Sequence, residues 1–115
     1  MPDFEILVCD TPPLSPFRMD EPDREMLRVG AVQCAWHPDA EEHAATLRAG
    51  VALAAAEGAE VVLLQELTLS TYFCVEPDVP DALARFGEDL DTGPTATMAR
   101  SMANEHGIVV HASLY

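Results

Sequence analysis

Few residues in this chain are equipped for bond-making chemistry, and their spacing narrows the field further. Glu66 directly follows Val61-Val62-Leu63-Leu64-Gln65, a run apolar enough to be a buried strand. A carboxylate at the end of such a strand is partly desolvated, which pushes its pKa upward toward that of a useful general base. The same position also reads as a solvated glutamate with no chemical role. The thiols are Cys9, Cys34 and Cys74, odd in number, widely spaced and without a C-x-x-C pair. Neither a zinc site nor a disulfide framework is expected, and a reduced, cytoplasmic setting follows. Cys34 reads as a small core or strand-end residue. Cys74, closer to Glu66, is either part of a pocket wall with Tyr72 and Phe73 or a loop residue packed under its neighbours. His37, Asp39 and His43 follow Cys34, but the spacing matches no zinc pattern, and Asp39 has a capping role instead. His106 and His111 read as surface or sheet residues and Trp36 as a packing anchor. Ser113 has no nucleophile-elbow motif around it.

Composition removes several classes of function. Twenty acidic residues against six basic ones give a net charge of -14, which repels nucleic-acid backbones and anionic membrane surfaces. The six cations are all arginines, Arg18, Arg24, Arg28, Arg48, Arg85 and Arg100, so the chain has no lysine. No apolar run is long enough to span a bilayer, and Asp3 and Glu5 stand where a secretory signal carries positive charge. The 115 residues, 49% of them hydrophobic, suit a single small globular unit.

The elements that must position Glu66 are legible in outline. Residues 1–27 differ in character, with Pro12, Pro13, Pro16 and Pro22 breaking any period and Asp20, Glu21, Asp23 and Glu25 clustering acid. This stretch is expected to be a flexible leader, in which Phe4 to Cys9 offers a short edge strand and Met19 or Met26, rather than Met1, an alternative start of translation. Leu27 to Cys34 is a first core strand. Asp39, three residues before Glu42, has the spacing of a capping box. Leu47, Val51 and Ala54 recur at helical spacing and Gly58 stands at the expected end, so a helix is predicted over 40–57. Glu60 to Gln65 then forms a strand buried on both faces of a parallel sheet, which completes a right-handed βαβ unit.

Residues 66–80 lack periodicity and form a loop at the C-terminal edge of that strand, where open α/β sheets bind ligands. A weak turn over Ala82 to Phe86 precedes a helix opened by Thr92-Gly93-Pro94, with Met98, Ala99 and Met102 on its apolar side and Gly107 closing it. A third strand runs from Ile108 to Tyr115. Its apolar edge is a template for pairing with further chain, and the sequence is expected to be part of something larger. No internal repeat or low-complexity tract is present.

The order of these signals, Val32-Gln33, a helix, Gly58-Ala59, an apolar strand ending Gln65-Glu66-Leu67, then Tyr72-Phe73-Cys74, Gly93-Pro94 and Gly107 to Val110, resembles the nitrilase superfamily of carbon-nitrogen hydrolases over about residues 28–115. Gln65 before the glutamate and the Tyr-Phe-Cys triplet are similar to N-carbamoylputrescine amidases and β-ureidopropionases. His43 departs from that pattern, standing where relatives often have Asn, and is taken as a helix-surface variation. The resemblance implies a partial four-layer αββα sandwich in the α/β class, with residues 28–115 its N-terminal part. It also implies a Glu-Lys-Cys triad in which Glu66 deprotonates the thiol, the cysteine attacks and the lysine stabilises the developing charge. Only the glutamate has a counterpart here, because there is no lysine and the family's cysteine falls on a later strand. Further implications are a small-molecule substrate of the N-carbamoyl or amide type, no cofactor or metal, and a homo-oligomer.

Two competing readings stand beside this one. A non-catalytic module that self-associates through its open sheet is motivated by the missing lysine and the unpaired third strand. A nucleotide-binding domain needs a glycine-rich phosphate loop, and neither Gln33 to Ala40 nor Glu66 to Val75 supplies one.

Overall fold

The computed structural model describes residues 2–11, 16–17 and 24–115. Much of the expected leader, including Met1, Pro12, Pro13, the alternative start Met19, Asp20, Glu21, Pro22 and Asp23, therefore lies outside the described residues. Along the rest, strand β1 (Val29–Ala31) leads into helix α1 (Ala40–Ala56) and strand β2 (Val61–Leu63). A 3-10 turn at Phe73–Val75, a short helix α2 (Ala82–Phe86), helix α3 (Pro94–His106) and strand β3 (Val109–His111) follow. The strands pair in parallel in the order β1-β2-β3, with Val62 aligned to Gly30 on one side and to Val110 on the other. This is a small α/β arrangement built from two consecutive strand-helix-strand crossovers.

Each helix boundary has a local cause. Asp39 accepts the free backbone N–H groups of Glu41 and Glu42 through its carboxylate, at 2.9 and 3.0 Å, and so caps α1. The reciprocal half of the expected capping box is replaced. The Asp39 N–H donates to His37 Nδ1 at 3.0 Å, while the Glu42 carboxylate lies 3.3 Å from His37 Nε2. At the other end Gly58 takes a left-handed φ of 86°. Its N–H bonds the Ala55 carbonyl and that of Ala59 bonds Ala54, the paired bonds of a Schellman motif. Helix α3 starts with Gly93 as its cap and Pro94 at the first helical position, where a missing N–H costs nothing. No side chain of the capping residue serves this end. Glu88 does so from outside, accepting the Thr95 N–H at 2.7 Å and its hydroxyl at 2.6 Å.

The core forms where α1 and α3 lie together on one face of the sheet. Val62 and Leu64 from β2 and the residue after it, Val32 beyond β1, Leu47 and Val51 from α1 and Met98 and Met102 from α3 make one buried cluster. The approach of α1 to β1 is close: a Cβ on Gly30 would stand 3.0 Å from the Ala54 Cβ.

Three expectations need correction. The strands are shorter than the apolar runs that contain them: each pairs over three residues, 29–31 with 61–63 and 61–63 with 109–111. β2 is buried on one face rather than two. Val62 is fully covered, but on the other face Leu63 is 38% exposed, and Val29 and Val109, which flank Val61 there, are 54% and 60% exposed. Both crossover helices occupy the same side, so the second apolar face has no layer over it among the described residues. Phe4 to Cys9 forms no strand. Phe4 packs instead against the core cluster, its ring 3.1 Å from where a Cβ on Gly50 would sit. No helix among the described residues is long and apolar enough to cross a membrane.

Candidate functional site

In a parallel sheet all strands end on the same edge, so the residues just beyond β1 and β2 meet there. Cys34 and Trp36 arrive from β1, and Gln65, Glu66 and Leu67 from β2. With Ser70 and Tyr72 they line a cavity of about 270 Å³, just below the range usual for ligand sites. Glu66 is exposed at this cavity. The burial expected of a residue behind a buried strand is not found at Glu66 itself, although Leu64, Leu67 and Thr68 around it are buried.

That turn is held with unusual care. Leu67 is buried yet adopts a left-handed φ of 51°, a conformation costing a non-glycine residue about 1–2 kcal/mol. Such strain persists only where the surroundings over-determine the backbone. Thr68, fully buried, supplies most of the constraint. Its N–H donates to the Ser113 carbonyl, its hydroxyl accepts the Ser113 N–H, and that hydroxyl donates to the Gln65 carbonyl, all at 2.9 Å. Ser113 thus ties the β3 extension to the loop bearing Glu66. Trp36 Nε1 donates to the Leu69 carbonyl at 3.3 Å. It is half-exposed over the cavity rather than an anchor in the core.

His43 is the other correction. Expected on the helix surface, it is 1% exposed, with Nε2 2.9 Å from the Thr68 carbonyl. The helical pattern was read from Leu47, Val51 and Ala54, and His43 lies one turn before Leu47 on the same face. The apolar stripe thus contains His43, and only its polar type points toward solvent.

The three expected pocket residues separate. Tyr72 lines the cavity with Glu66. Phe73 points into the protein, stacked on Phe86 at 4.6 Å between ring centroids and meeting Tyr115 edge-on at 5.1 Å. Cys74 is exposed. Cys34 takes the place nearer the glutamate: its thiol is partly buried and accepts from the Gln65 amide at 3.5 Å. Cys34, Trp36, Gln65, Leu67 and Ser70 were not singled out as pocket residues, because no local pattern reports which residues of two separate strand ends will face each other. A larger groove of about 660 Å³ runs between residues 2–9 and the outer side of β1 and α1, away from Glu66. Among the described residues no group of three or more His, Cys, Asp or Glu side chains is placed to hold a metal.

The cavity can accept a proton at Glu66, but its lining contains no cation to stabilise an oxyanion. Glu66 holds the Tyr72 phenol above its ordinary pKa, first by accepting its hydrogen bond and second by its charge. A raised folded-state pKa means that the folded protein holds this proton more tightly than the unfolded chain. The resulting stabilisation is complete below the unfolded tyrosine pKa, near 10, and is lost as pH rises through the higher folded value. In an absorbance titration one of the chain's two tyrosines is expected to ionise late, and Glu66→Ala, which removes both the acceptor and the charge, to bring it back toward the ordinary range. An unchanged curve in that variant would break the assigned pairing.

In comparison with known proteins, residues 28–115 match the family described as carbon-nitrogen hydrolase. No curated protein and no solved structure matches the chain.

Proposed function

Since the chain belongs to the carbon-nitrogen hydrolase family, we infer that Glu66 is the general base of a hydrolase acting on non-peptide carbon-nitrogen bonds. The observation that carries this is the placement of Glu66 beside a small cavity at the C-terminal edge of the parallel sheet. In the reaction Glu66 takes the proton of a cysteine thiol and the thiolate attacks the substrate carbonyl. A lysine ammonium stabilises the oxyanion, and the proton returns to the departing ammonia or amine. Water activated by the same carboxylate then cleaves the thioester of an amide substrate, or the thiocarbamate of an N-carbamoyl one, and regenerates the thiol. The carbamate released from the latter breaks down to ammonia and carbon dioxide.

The lysine and the nucleophilic cysteine come from outside these 115 residues. No lysine is present here, and the Cys34 thiol is engaged by Gln65 as part of the cavity wall. The substrate class is N-carbamoyl amines or acids and related amides. Gln65 and Tyr72 support it, since both carry the resemblance to that branch and both line the cavity, where their polar groups suit a urea-like head.

The uncovered apolar face of Val29, Leu63 and Val109 supports the full arrangement of a four-layer αββα sandwich, in which a second sheet covers that face. It also favours the second reading, a non-catalytic module whose open sheet is covered by another copy. Ammonia release from a panel of N-carbamoyl amines, N-carbamoyl acids and simple amides separates the two. A protein carrying the downstream lysine and cysteine strands is expected to turn over at least one class, and the 115-residue chain none. Turnover by the chain alone would overturn the mechanism. Concentration-dependent self-association of a chain that remains inactive in its longest natural form would favour the module.

A further inference from the structure

His43 has no part in the proposed reaction, yet it is the least accessible ionisable side chain described. One turn into α1, it is 1% exposed, and its Nδ1 is buried with no hydrogen-bond partner among the described residues. A buried polar atom without a partner costs stability that an apolar side chain of similar size would not incur. The compensating feature is the other ring nitrogen. A carbonyl oxygen can only accept, so the 2.9 Å contact with Thr68 requires Nε2 to carry the proton and donate.

The recipient matters. Thr68 is two residues from Glu66, and between them lies Leu67 with its left-handed φ of 51°. The N–H and hydroxyl of Thr68 are already committed to Ser113 and Gln65. Its carbonyl is the remaining polar group of that residue, and His43 occupies it. The helix, through His43, and the segment after β3, through Ser113, therefore both hold Thr68, and the strained turn beside it sets where the Glu66 side chain leaves the backbone.

We propose that His43 is a positioning residue for Glu66: its Nε2–H fixes the Thr68 carbonyl and thereby holds the Leu67 turn that presents the glutamate to the cavity. This rests on the reading of Glu66 as the base for its functional meaning, but not for its test, which needs no turnover.

Two variants and the unaltered protein test it by nuclear magnetic resonance. His43→Leu fills a similar volume without a donor, and His43→Gln carries an amide N–H at about the reach of Nε2. In His43→Leu, amide exchange at Thr68 and Ser113 is expected to accelerate about tenfold more than at Val51 and Met102 in the core, the order expected for losing one buried hydrogen bond locally. The Glu66 carboxyl carbon signal should move, and His43→Gln should restore both readouts. Equal acceleration at all four amides, or an unmoved Glu66 signal, overturns the assignment and leaves His43 a packing residue. Should His43→Leu fail to fold, the unaltered protein still decides: the imidazole must carry its proton on Nε2, and a proton on Nδ1 instead overturns the proposal. Failure here leaves the activity of Glu66 untouched, whereas a fully active Glu66→Gln enzyme would remove the base without altering these exchange rates.

Discussion

Glu66→Gln is expected to lower kcat for carbon-nitrogen hydrolysis by about 10³-fold in a protein that carries the lysine and cysteine strands, with KM little changed. Glutamine keeps the length and shape of the side chain and can still accept a hydrogen bond from Tyr72. It cannot take a proton, and general-base catalysis is worth about 10²–10⁴-fold. Because Glu66 is exposed, the substitution leaves no buried charge unpaired and the melting temperature should hardly move, so lost activity would not be lost folding. Glu66→Asp offers an independent check. It retains the base but withdraws it by one methylene, and a displacement of that size at a reacting group costs on the order of 10²-fold. A Glu66→Gln enzyme within tenfold of the original would exclude the residue as the base.

The largest effect on folding is expected at Leu47. It is completely buried on the face of α1 that meets the sheet, and cutting such a side chain to alanine costs about 2–5 kcal/mol through lost burial and the cavity left behind. Domains of this size hold only about 5–15 kcal/mol in total, and here one face of a three-stranded sheet has no layer over it among the described residues. Leu47→Ala should therefore shift the urea midpoint sharply downward or leave the chain largely unfolded. Leu90→Ala, at a position 74% exposed, should stay within about 0.5 kcal/mol of the original protein. Equal midpoints for the two variants would mean that the helix face assigned to the core is wrong.

Much of the fold could be read from local signals because those signals are themselves local physics. Asp39 reaches backbone donors two and three residues away, Gly58 relieves a left-handed turn at its own position, and Pro94 lacks only an N–H that the first helical turn does not use. Each interaction closes within a few residues, so each is written in consecutive letters. Glu66 was identifiable for a related reason: a charged residue after a run of branched apolar ones marks the end of a buried strand.

The site itself was less accessible. The same apolar run gave no warning that β2 would be covered on one face only, since Val61 and Leu63 have the letters of a core whether or not a layer lies over them. His43 could not be placed by type, because burial of an imidazole depends on an acceptor 25 residues away, the Thr68 carbonyl. Nor could the role of Cys34, which follows from the parallel alignment of β1 and β2 that brings it against Gln65. The chain's letters establish three strands and their crossover helices through hydrophobic period and caps, while the order of short motifs carries the resemblance to a family and, with it, one candidate base. The side chains that share the base's cavity, and the histidine behind its loop, emerged from pairings between distant segments. Those pairings depend on which strand edges meet and which faces are covered, and no short window of sequence contains that information.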